Sequence, residues 1–382
     1  MNTDDSASQE ALTEQQDPFS EDVTEPGEPV LLNSDDPNDV VPFRYSITSY
    51  GADYPIDALV KRINDGDVFI PHFQRAYVWD PRRASKFVES LLLGLPVPGI
   101  FLSREAETGK LLVIDGQQRL RTLQFFYRGY FQSEGQPFAL AGVQAELEGM
   151  TYANLAPPDR RRLDDSILHA TVVRQDVPTD DNSSVYHIFA RLNTGGLQLT
   201  AQEIRACLYH GPFNELLREL NGDPAWRSVF GAENKRLRDQ ELILRFFAFY
   251  YSAQDYGREP NGTSLRGFLN DYMARNRRLR LQSEEELRRA FLPTINLVWA
   301  AVAGEAFRRK RTLNAAVFDA VMVGLARRLE KGGVADVARV ASAYRNLVDD
   351  EDFVDATETG TNALPSVQVR LDKAVTAFAA LR

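Results

Sequence analysis

Between residues 80 and 128, the spacing of apolar positions changes several times and predicts a small mixed α/β unit. A first helix is indicated by apolar residues that share one helical face, at Ala84, Phe87, Val88, Leu91 and Leu92. Asp80 precedes this face and is well placed to cap the helix, while Gly94 and Pro96 are typical of its end. The pattern therefore predicts one amphipathic helix with its apolar side against a core.

Two short apolar runs follow and predict a pair of strands. They lie at residues 100–102 and 111–114, and the polar stretch 105–110 between them is typical of a hairpin loop. Asp115-Gly116 interrupts the second run, and helical spacing resumes at Leu120, Leu123, Phe126 and Tyr127. We therefore expect a strand, a glycine turn and a helix in direct succession.

From about residue 200 onward the apolar spacing is helical. The helical segments are 213–220, 242–249, 291–303, 313–329, 334–348 and 369–381. The polar segment 357–364, with Asn362, and the later Arg370 are typical of a surface loop before a last helix. Together these patterns predict an α+β chain in which an N-terminal α/β domain is followed by an all-α domain.

Composition separates a tail from the body of the chain. Residues 1–42 hold 12 Asp or Glu and no Lys or Arg, and they lack apolar periodicity, so we expect a disordered acidic tail. The net charge of −10 comes from this tail, because 42 acidic and 44 basic residues remain outside it. Two interpretations stay open: a solubilising extension, or a mimic of nucleic acid that covers a basic surface.

Length and residue usage narrow the class of protein. A chain of 382 residues favours two domains, and we place them at 43–200 and 201–382. No run of eighteen apolar residues and no N-terminal signal pattern are present, so neither a membrane span nor secretion is expected. The single cysteine, Cys207, cannot form an intrachain disulfide. We therefore expect a cytoplasmic protein.

The turn at Asp115–Arg119 is a candidate anion site. A glycine turn that starts a helix leaves the first backbone N–H groups unpaired at the positive end of the helix dipole. Arg119 lies in that first turn and can add a charge-assisted contact. The amides of Gln117 and Gln118 beside it are unfavourable to desolvate without a partner. The alternative is structural: Asp115 caps the helix, and Gly116 relieves the turn.

A second segment, Ile70 to Trp79, combines aromatic and polar side chains. Phe73, Tyr77 and Trp79 supply flat apolar surface, and Gln74 and Arg75 supply directional donors. Aromatic faces near an arginine suit a nucleobase or a phosphate. In the alternative interpretation the aromatic side chains belong to the core and Arg75 pairs with an acidic residue.

A third segment ends a helix in a glycine loop. Arg191 and Asn193 lie beside Gly195-Gly196, a sequence that suits a left-handed helix end or a loop approaching a ligand. Thr200 and Glu203 fit a capping box at the start of the next helix, which explains them without any ligand. We expect Arg191 and Asn193 to contribute to the same pocket as the Asp115–Arg119 turn.

These segments together resemble the DUF262 family, the N-terminal domain of GmrSD-type, modification-dependent restriction systems. The resemblance rests on Ile70-Pro71, Phe73-Gln74-Arg75, Tyr77-Val78-Trp79, residues 90–98, Asp115-Gly-Gln-Gln-Arg119 with Thr122-Leu123, and Phe189-Ala-Arg-Leu-Asn-Thr-Gly-Gly196 with Leu199-Thr200 and Glu203-Ile-Arg205. The blocks lie in the family's order over about residues 45 to 210.

The resemblance implies a fold and a chemistry. DUF262 domains are similar to the ParB/sulfiredoxin fold, in which a strand-to-helix turn holds a nucleotide phosphate, and family members bind and hydrolyse nucleoside triphosphates in bacterial defence. Many also carry a DUF1524 domain, an HNH-type nuclease that needs a histidine cluster. This chain departs from that pattern, because all four histidines lie in the first 210 residues. That placement argues against an HNH nuclease within this chain.

The sequence therefore predicts a nucleotide-binding and NTP-hydrolysing component of a restriction or phage-defence system. The expected nucleotide-binding residues are Gln74, Arg75, Gly116, Gln117, Gln118, Arg119, Arg191 and Asn193. Backbone N–H groups and Arg119 would hold the phosphates, and Arg75 would stabilise charge on the transferred phosphoryl group. Asp115 would bind Mg²⁺ or position the attacking water, which Gln117 or Gln118 could orient instead.

Two alternatives and several partners stay open at this stage. The same turn could sense a nucleotide or DNA without turnover and control a separate nuclease. A ParB-like nuclease is the other alternative, although Asp115 alone is a weak metal-organising group. Candidate partners are DNA, a separate nuclease or another defence protein, and further copies of the chain.

Overall fold

Five strands form a mixed sheet in the first half of the chain. The computed structural model describes residues 46–70, 77–105, 108–132, 136–177, 188, 200–258, 264–309 and 312–381. The strands are β1 (Ser46–Pro55), β2 (Val68–Phe69), β3 (Ile100–Arg104), β4 (Leu111–Asp115) and β5 (Ile167–Val177). Their order across the sheet is β1-β5-β3-β4-β2. The expected hairpin is confirmed, because β3 and β4 pair in antiparallel register, whereas β3 and β5 are parallel.

Among the described residues, four helices accompany the sheet: α1 (Ile56–Asn64), α2 (Pro81–Leu92), α3 (Gln117–Arg128) and α4 (Pro157–Asp165). The predicted cap of α2 is confirmed, since the Asp80 side chain accepts a hydrogen bond from the Arg83 N–H at 2.8 Å. A hydrophobic cluster joins these helices to one face of the sheet, to which β4 contributes Leu111 and Val113. This packing holds the start of α3 next to the end of β4.

The second half of the described chain is largely helical, as predicted. Its helices are α5 (Ala201–Leu208), α6 (Pro212–Asn221), α7 (Pro224–Phe230), α8 (Arg238–Ser252), α9 (Leu265–Asn276), α10 (Glu284–Val302), α11 (Ala315–Leu329), α12 (Val337–Val348), α13 (Glu351–Glu358) and α14 (Leu364–Ala379). The short strands β6 (Arg308–Arg309) and β7 (Thr312–Leu313) pair beside them. Helix α10 begins before the apolar segment 291–303, because Ser283 and Glu286 form a capping box.

The expected α+β class is thus confirmed: a five-stranded sheet comes first and a largely helical region follows. The domain boundary at residue 200 and the ParB/sulfiredoxin-like identity of the sheet domain stay predictions. The tail, residues 1–42, lies outside the described residues. Among the described helices, none combines the length and the apolar character that a membrane span requires.

The two halves share a hydrophobic cluster across the second face of the sheet. Leu112 and Ile114 of β4 and Val173 of β5 are buried in the same cluster as the apolar residues of the helical half. Side chains alternate along a strand, so β4 presents Leu111 and Val113 to one core and Leu112 and Ile114 to the other. The strand that ends at Asp115 is therefore fixed from both sides.

A polar junction adds to this contact. Arg277, which follows α9, donates to the Glu105 carboxylate in the β3–β4 hairpin and to the His210 carbonyl oxygen, the latter at 2.6 Å. The His210 ring lies against Phe69, with ring centroids 4.6 Å apart. Burial and the charge of Arg277 lower the pKa of His210, and Glu105 opposes them only in part. The junction therefore favours the neutral imidazole.

We expect His210 to make the protein less stable under mildly acidic conditions. An unfolded histidine has a pKa of about 6.5, so below that pH the unfolded chain binds the proton more readily than the folded chain. Stability is then full above about pH 6.5 and falls as the pH decreases toward the lowered pKa of folded His210. Melting temperatures between pH 7.5 and 5.5 should fall less steeply in His210→Gln than in the wild type. Parallel curves for the two proteins would contradict this prediction.

A charged group of three side chains lies buried inside the helical half. Asp319 of α11 accepts from Arg245 of α8 at 2.6 Å and from Arg370 of α14 at 3.2 Å. All three side chains are at most 1% exposed. Arg370 also donates to the Thr361 carbonyl oxygen, so the prediction of a surface loop here is only partly correct. The turn at Thr359-Gly360 is exposed, whereas Thr361 and Arg370 are buried.

Replacing Asp319 by Asn should strongly destabilise the helical half. The substitution removes the negative charge between two buried guanidinium groups, and breaking a buried pair costs about 3–5 kcal/mol. Urea unfolding should show this loss as a lower midpoint. Glu285→Gln is the matched control, because it breaks an ion pair with Arg289 that is exposed, and we expect little change there. Equal effects of the two substitutions would contradict the prediction.

Candidate functional site

The β4–α3 turn has the predicted geometry, and Gly116 explains it. Gly116 has φ 98° and ψ 10°, a left-handed conformation that favours glycine, and α3 starts with the next residue. A Cβ atom at this position would lie 2.3 Å from the Ile100 Cγ2 atom. The turn therefore has no room for a side chain at residue 116, and α3 begins directly after the C-terminal end of β4.

Asp115 does not cap α3, so the alternative interpretation of the turn is wrong in this respect. The N-cap residue is Gly116, and no side chain makes a capping hydrogen bond there. Instead the Asp115 Oδ2 atom accepts from Arg119 Nη2 at 2.7 Å. The Asp115 side chain is 44% exposed, which leaves this carboxylate accessible from solvent.

Arg119 lies against the backbone of the turn. Its Nη2 atom also donates to the Gly99 carbonyl oxygen at 3.0 Å, so the guanidinium group joins the end of β4 to the residue before β3. The side chain is only 16% exposed, and its Nε atom is buried without a hydrogen-bond partner among the described residues. A buried donor without a partner is unfavourable. This corner of the molecule would therefore be stabilised by a further acceptor.

Gln118 connects the turn to the segment that ends at Trp79. Its Oε1 atom accepts from the Val78 N–H at 3.0 Å, and its carbonyl oxygen accepts from the Thr122 hydroxyl at 2.7 Å. The Tyr77 hydroxyl lies 2.7 Å from the same Thr122 oxygen, and burial raises the pKa of Tyr77 to about 12. The segment that ends at Trp79 and the Asp115–Arg119 turn therefore lie in contact. The side-chain amide oxygen of Gln118 makes the hydrogen bond between them.

The aromatic residues of the first block belong to the core where the structure describes them. Tyr77 and Trp79 pack against the cluster beneath the sheet. The Trp79 and Phe87 ring centroids are 5.7 Å apart, and the Arg83 guanidinium lies 5.0 Å from the Trp79 ring. The core interpretation is confirmed for these two residues, whereas Phe73 lies outside the described part.

Several expected site residues cannot be compared with the structure. Gln74 and Arg75, and likewise Arg191 and Asn193, lie outside the described residues. Their assignment to the pocket stays a prediction. The capping box after them is confirmed, because Glu203 N–H donates to the Thr200 hydroxyl and the Thr200 N–H donates to the Glu203 carboxylate.

Asp115 is the residue that could hold a metal ion at this turn. No group of three or more His, Cys, Asp or Glu side chains is placed to bind a metal within the ranges that the structure describes. Mg²⁺ is commonly bound by one or two carboxylates together with substrate phosphates and water. A single exposed carboxylate beside an arginine fits that mode and does not fit an all-protein cage.

The comparisons with known proteins bear on this region. Residues 56–210 match the family model described as the GmrSD restriction endonuclease, N-terminal domain. This segment belongs to that family. The matched range contains β2 to β5 and the whole β4–α3 turn. No curated protein and no solved structure matches the chain. The GmrSD family match supports a role as a component of a restriction system.

Substituting Gly116 by alanine should disrupt the turn. A Cβ atom there meets Ile100 and also forces a non-glycine residue into the left-handed region, which together cost about 2–4 kcal/mol. Gly129→Ala at the other end of α3 is the matched control: its φ is 86°, but no atom lies within 4 Å of the added Cβ. Denaturant unfolding should therefore show a clearly larger loss for Gly116→Ala, and equal losses would speak against the close packing.

Proposed function

We propose that the GmrSD N-terminal domain binds a nucleoside triphosphate at the Asp115–Arg119 turn and hydrolyses it to a diphosphate and phosphate. In this proposal the chain is the nucleotide-dependent component of a bacterial modification-dependent restriction or phage-defence system. DNA and a separate nuclease are its proposed partners. The observation that carries the proposal is the buried Arg119 guanidinium with an Nε atom lacking a partner among the described residues.

Three features of the turn support phosphate binding. The guanidinium lies in the first turn of α3, where the helix dipole favours an anion. Its charge is always present, and it can form paired hydrogen bonds with phosphate oxygens. Both described hydrogen bonds of Arg119 use Nη2, and its buried Nε atom has no hydrogen-bond partner among the described residues. A phosphate at this corner would thus find a largely desolvated, positively charged donor group.

Asp115 gives the site its second chemical component. A carboxylate next to a phosphate is repulsive unless a cation lies between them. Asp115, together with phosphate oxygens and water, would hold Mg²⁺, which neutralises charge on the phosphates when bound. The ion pair at 2.7 Å keeps the Asp115 carboxylate at the turn, next to the proposed phosphate position.

The remaining roles follow from residue chemistry. We propose that Arg75 stabilises charge on the transferred phosphoryl group and that Gln74, Arg191 and Asn193 line the pocket. Gln117 or Gln118 could orient the attacking water instead of Asp115; of the two, the Gln118 Oε1 atom accepts from the Val78 N–H. Positioning and electrostatic stabilisation account for most catalysis of phosphoryl transfer, so an arginine-lined turn is suited to it.

Phosphate release from ATP, GTP, CTP and UTP, each with Mg²⁺, tests this proposal. Arg119→Ala and Asp115→Ala should each reduce hydrolysis by roughly 10²-fold or more, the range seen when a donor to developing charge is removed. Arg128→Ala is the control, since it removes an exposed arginine from the last turn of the same helix and should leave the rate unchanged.

Two other results would lead to different conclusions. Hydrolysis that survives both site substitutions would refute the assignment of the turn. A thermal shift with a triphosphate that is lost in Arg119→Ala, without any turnover by the wild type, would support a sensing module instead, because a ligand bound only by the native state raises its melting temperature.

A further inference from the structure

Helix α3 carries a second arginine close to the candidate site. Arg121 lies one helical turn after Gln117, the residue at which α3 starts. Its side chain is half-buried, yet it has no hydrogen bond or ion pair with any described residue. Burial lowers the pKa of Arg121, and no carboxylate counteracts that shift. A partly desolvated guanidinium group without a counter-charge is unfavourable, so an anion would stabilise this position.

Two hydrogen bonds flank Arg121 on the surface of α3. On one side, the Gln118 Oε1 atom accepts from the Val78 N–H at 3.0 Å. On the other side, the Gln124 Nε2 atom donates to the Oδ1 atom of Asn64, the last residue of α1, at 3.0 Å. Residues three positions before and three positions after Arg121 thus hold α3 against its neighbours. These contacts fix the helix and do not use the guanidinium group between them.

The geometry of the helix directs the Arg121 side chain toward the turn. In an α-helix the Cα–Cβ bonds tilt toward the N-terminus, and the Cβ atoms of residues four positions apart are about 5–6 Å from each other. Arg121 and Gln117 are related in this way, and Gln117 belongs to the Asp115–Arg119 turn. The stem of Arg121 therefore leads back over the first turn of α3, where the helix dipole favours an anion.

Arg121 and Arg119 lie on different sides of the helix and cannot hold the same phosphate group. Two positions along a helix correspond to about 200° around its axis. Arg119 is directed toward the sheet, where its Nη2 atom donates to the Gly99 carbonyl oxygen at 3.0 Å. Arg121 lies on the side that carries Gln117. A chain of linked phosphate groups that crosses the start of α3 would contact both arginines, whereas a single phosphate would not.

The charge at the turn favours a contribution from a further arginine. Asp115 and Arg119 form an ion pair, so together they supply no net charge. A nucleoside triphosphate carries more negative charge than one Mg²⁺ ion neutralises. The sequence of α3 contains no acidic residue that would repel a further anion. Arg121 supplies a positive charge that no described carboxylate neutralises.

We propose that Arg121 binds the triphosphate chain of the nucleotide, at a phosphate group other than the one held by Arg119. This inference rests on the proposed function. The charge-assisted hydrogen bonds of Arg121 replace water around a guanidinium group that the fold has already partly desolvated. The contact is made to the bound substrate and to the transition state alike, so its removal raises KM and leaves kcat nearly unchanged.

Thermal shifts and steady-state hydrolysis with ATP, GTP, CTP and UTP, each with Mg²⁺, test the inference. The proteins are the wild type, Arg121→Gln, Arg121→Lys and the control Arg128→Gln. Arg128 lies on the same side of α3 two helical turns further on and is exposed, so its replacement should have no effect.

Nucleotide-free Arg121→Gln should melt at the wild-type temperature or above it, because the guanidinium group has no described partner to lose. Its thermal shift with nucleotide should be smaller, and its KM should rise roughly 10–100-fold, the range for a lost hydrogen bond between charged groups. Arg121→Lys keeps the charge without the planar fork and should recover part of the affinity.

A structural role for Arg121 would give the opposite pattern. A lower melting temperature of nucleotide-free Arg121→Gln, together with the wild-type KM and the wild-type thermal shift, would overturn the inference. Loss of affinity for a DNA duplex with unchanged nucleotide binding would also overturn it, and would identify Arg121 as a contact to nucleic acid.

Arg119→Ala distinguishes failure of this inference from failure of the proposed function. If none of the four nucleotides raises the melting temperature of the wild type, both are overturned. If a nucleotide binds without turnover, only hydrolysis is overturned, and the thermal shifts decide the role of Arg121. If Arg119→Ala abolishes binding but Arg121→Gln keeps the wild-type thermal shift, only the assignment of Arg121 is overturned.

Discussion

The packing of Gly116 against Ile100 is the constraint on which the geometry of the candidate site depends. Because residue 116 is a glycine, the backbone can turn in the left-handed region and pack against Ile100, and α3 starts directly after β4. This start places Arg119 within reach of both the Gly99 carbonyl oxygen and the Asp115 carboxylate. Hydrophobic burial is non-directional and cannot by itself fix such a contact. Gly116 and the Arg119 guanidinium group together fix the end of β4, the start of α3 and the residue before β3.

The strand that ends at this site also connects the two halves of the chain. Leu111 and Val113 pack with the helices of the first half, whereas Leu112 and Ile114 belong to the core of the second. The hairpin leading into β4 is held by the hydrogen bond from Arg277 to Glu105. A movement of the helices relative to the sheet would therefore act on β4 and on the turn after it.

The parts of the fold that the sequence predicts well depend on neighbouring residues along the chain. The cap at Asp80 and the box of Thr200 and Glu203 follow rules of spacing within one helical turn, and the helices follow from apolar periodicity. The Gly116 turn was likewise visible from a strand, a glycine and a resumed helical pattern. The predictions that the structure confirms are therefore those of caps, helices and turns, each of which depends on residues close together in the sequence.

Contacts between distant residues could not be predicted in this way. Asp53 and His169 are 116 positions apart, and only the pairing of β1 with β5 brings them together. One local feature of the sequence points to His169: it lies between Leu168 and Ala170, which are both buried. Alternation along a strand places its side chain on the opposite face of the sheet from theirs. Arg370 was misleading for the same reason, because its partner Asp319 lies on another helix. An arginine next to a polar loop is usually exposed, and nothing near it in the sequence indicates the buried carboxylate.

The pairing of Arg119 with Asp115 affects which ligands the turn can select. A phosphate that approaches the guanidinium group must share it with a carboxylate at 2.7 Å, and the two anions repel each other. An anion that arrives alone, such as a phosphate of the DNA backbone, gains one attractive contact and one repulsive contact. A triphosphate that arrived with a divalent cation would turn the carboxylate into a ligand, so both side chains would then contribute favourably. Under the proposed function, the same ion pair would disfavour simple anions and favour a metal-complexed nucleotide, which is the substrate that the proposed hydrolysis requires.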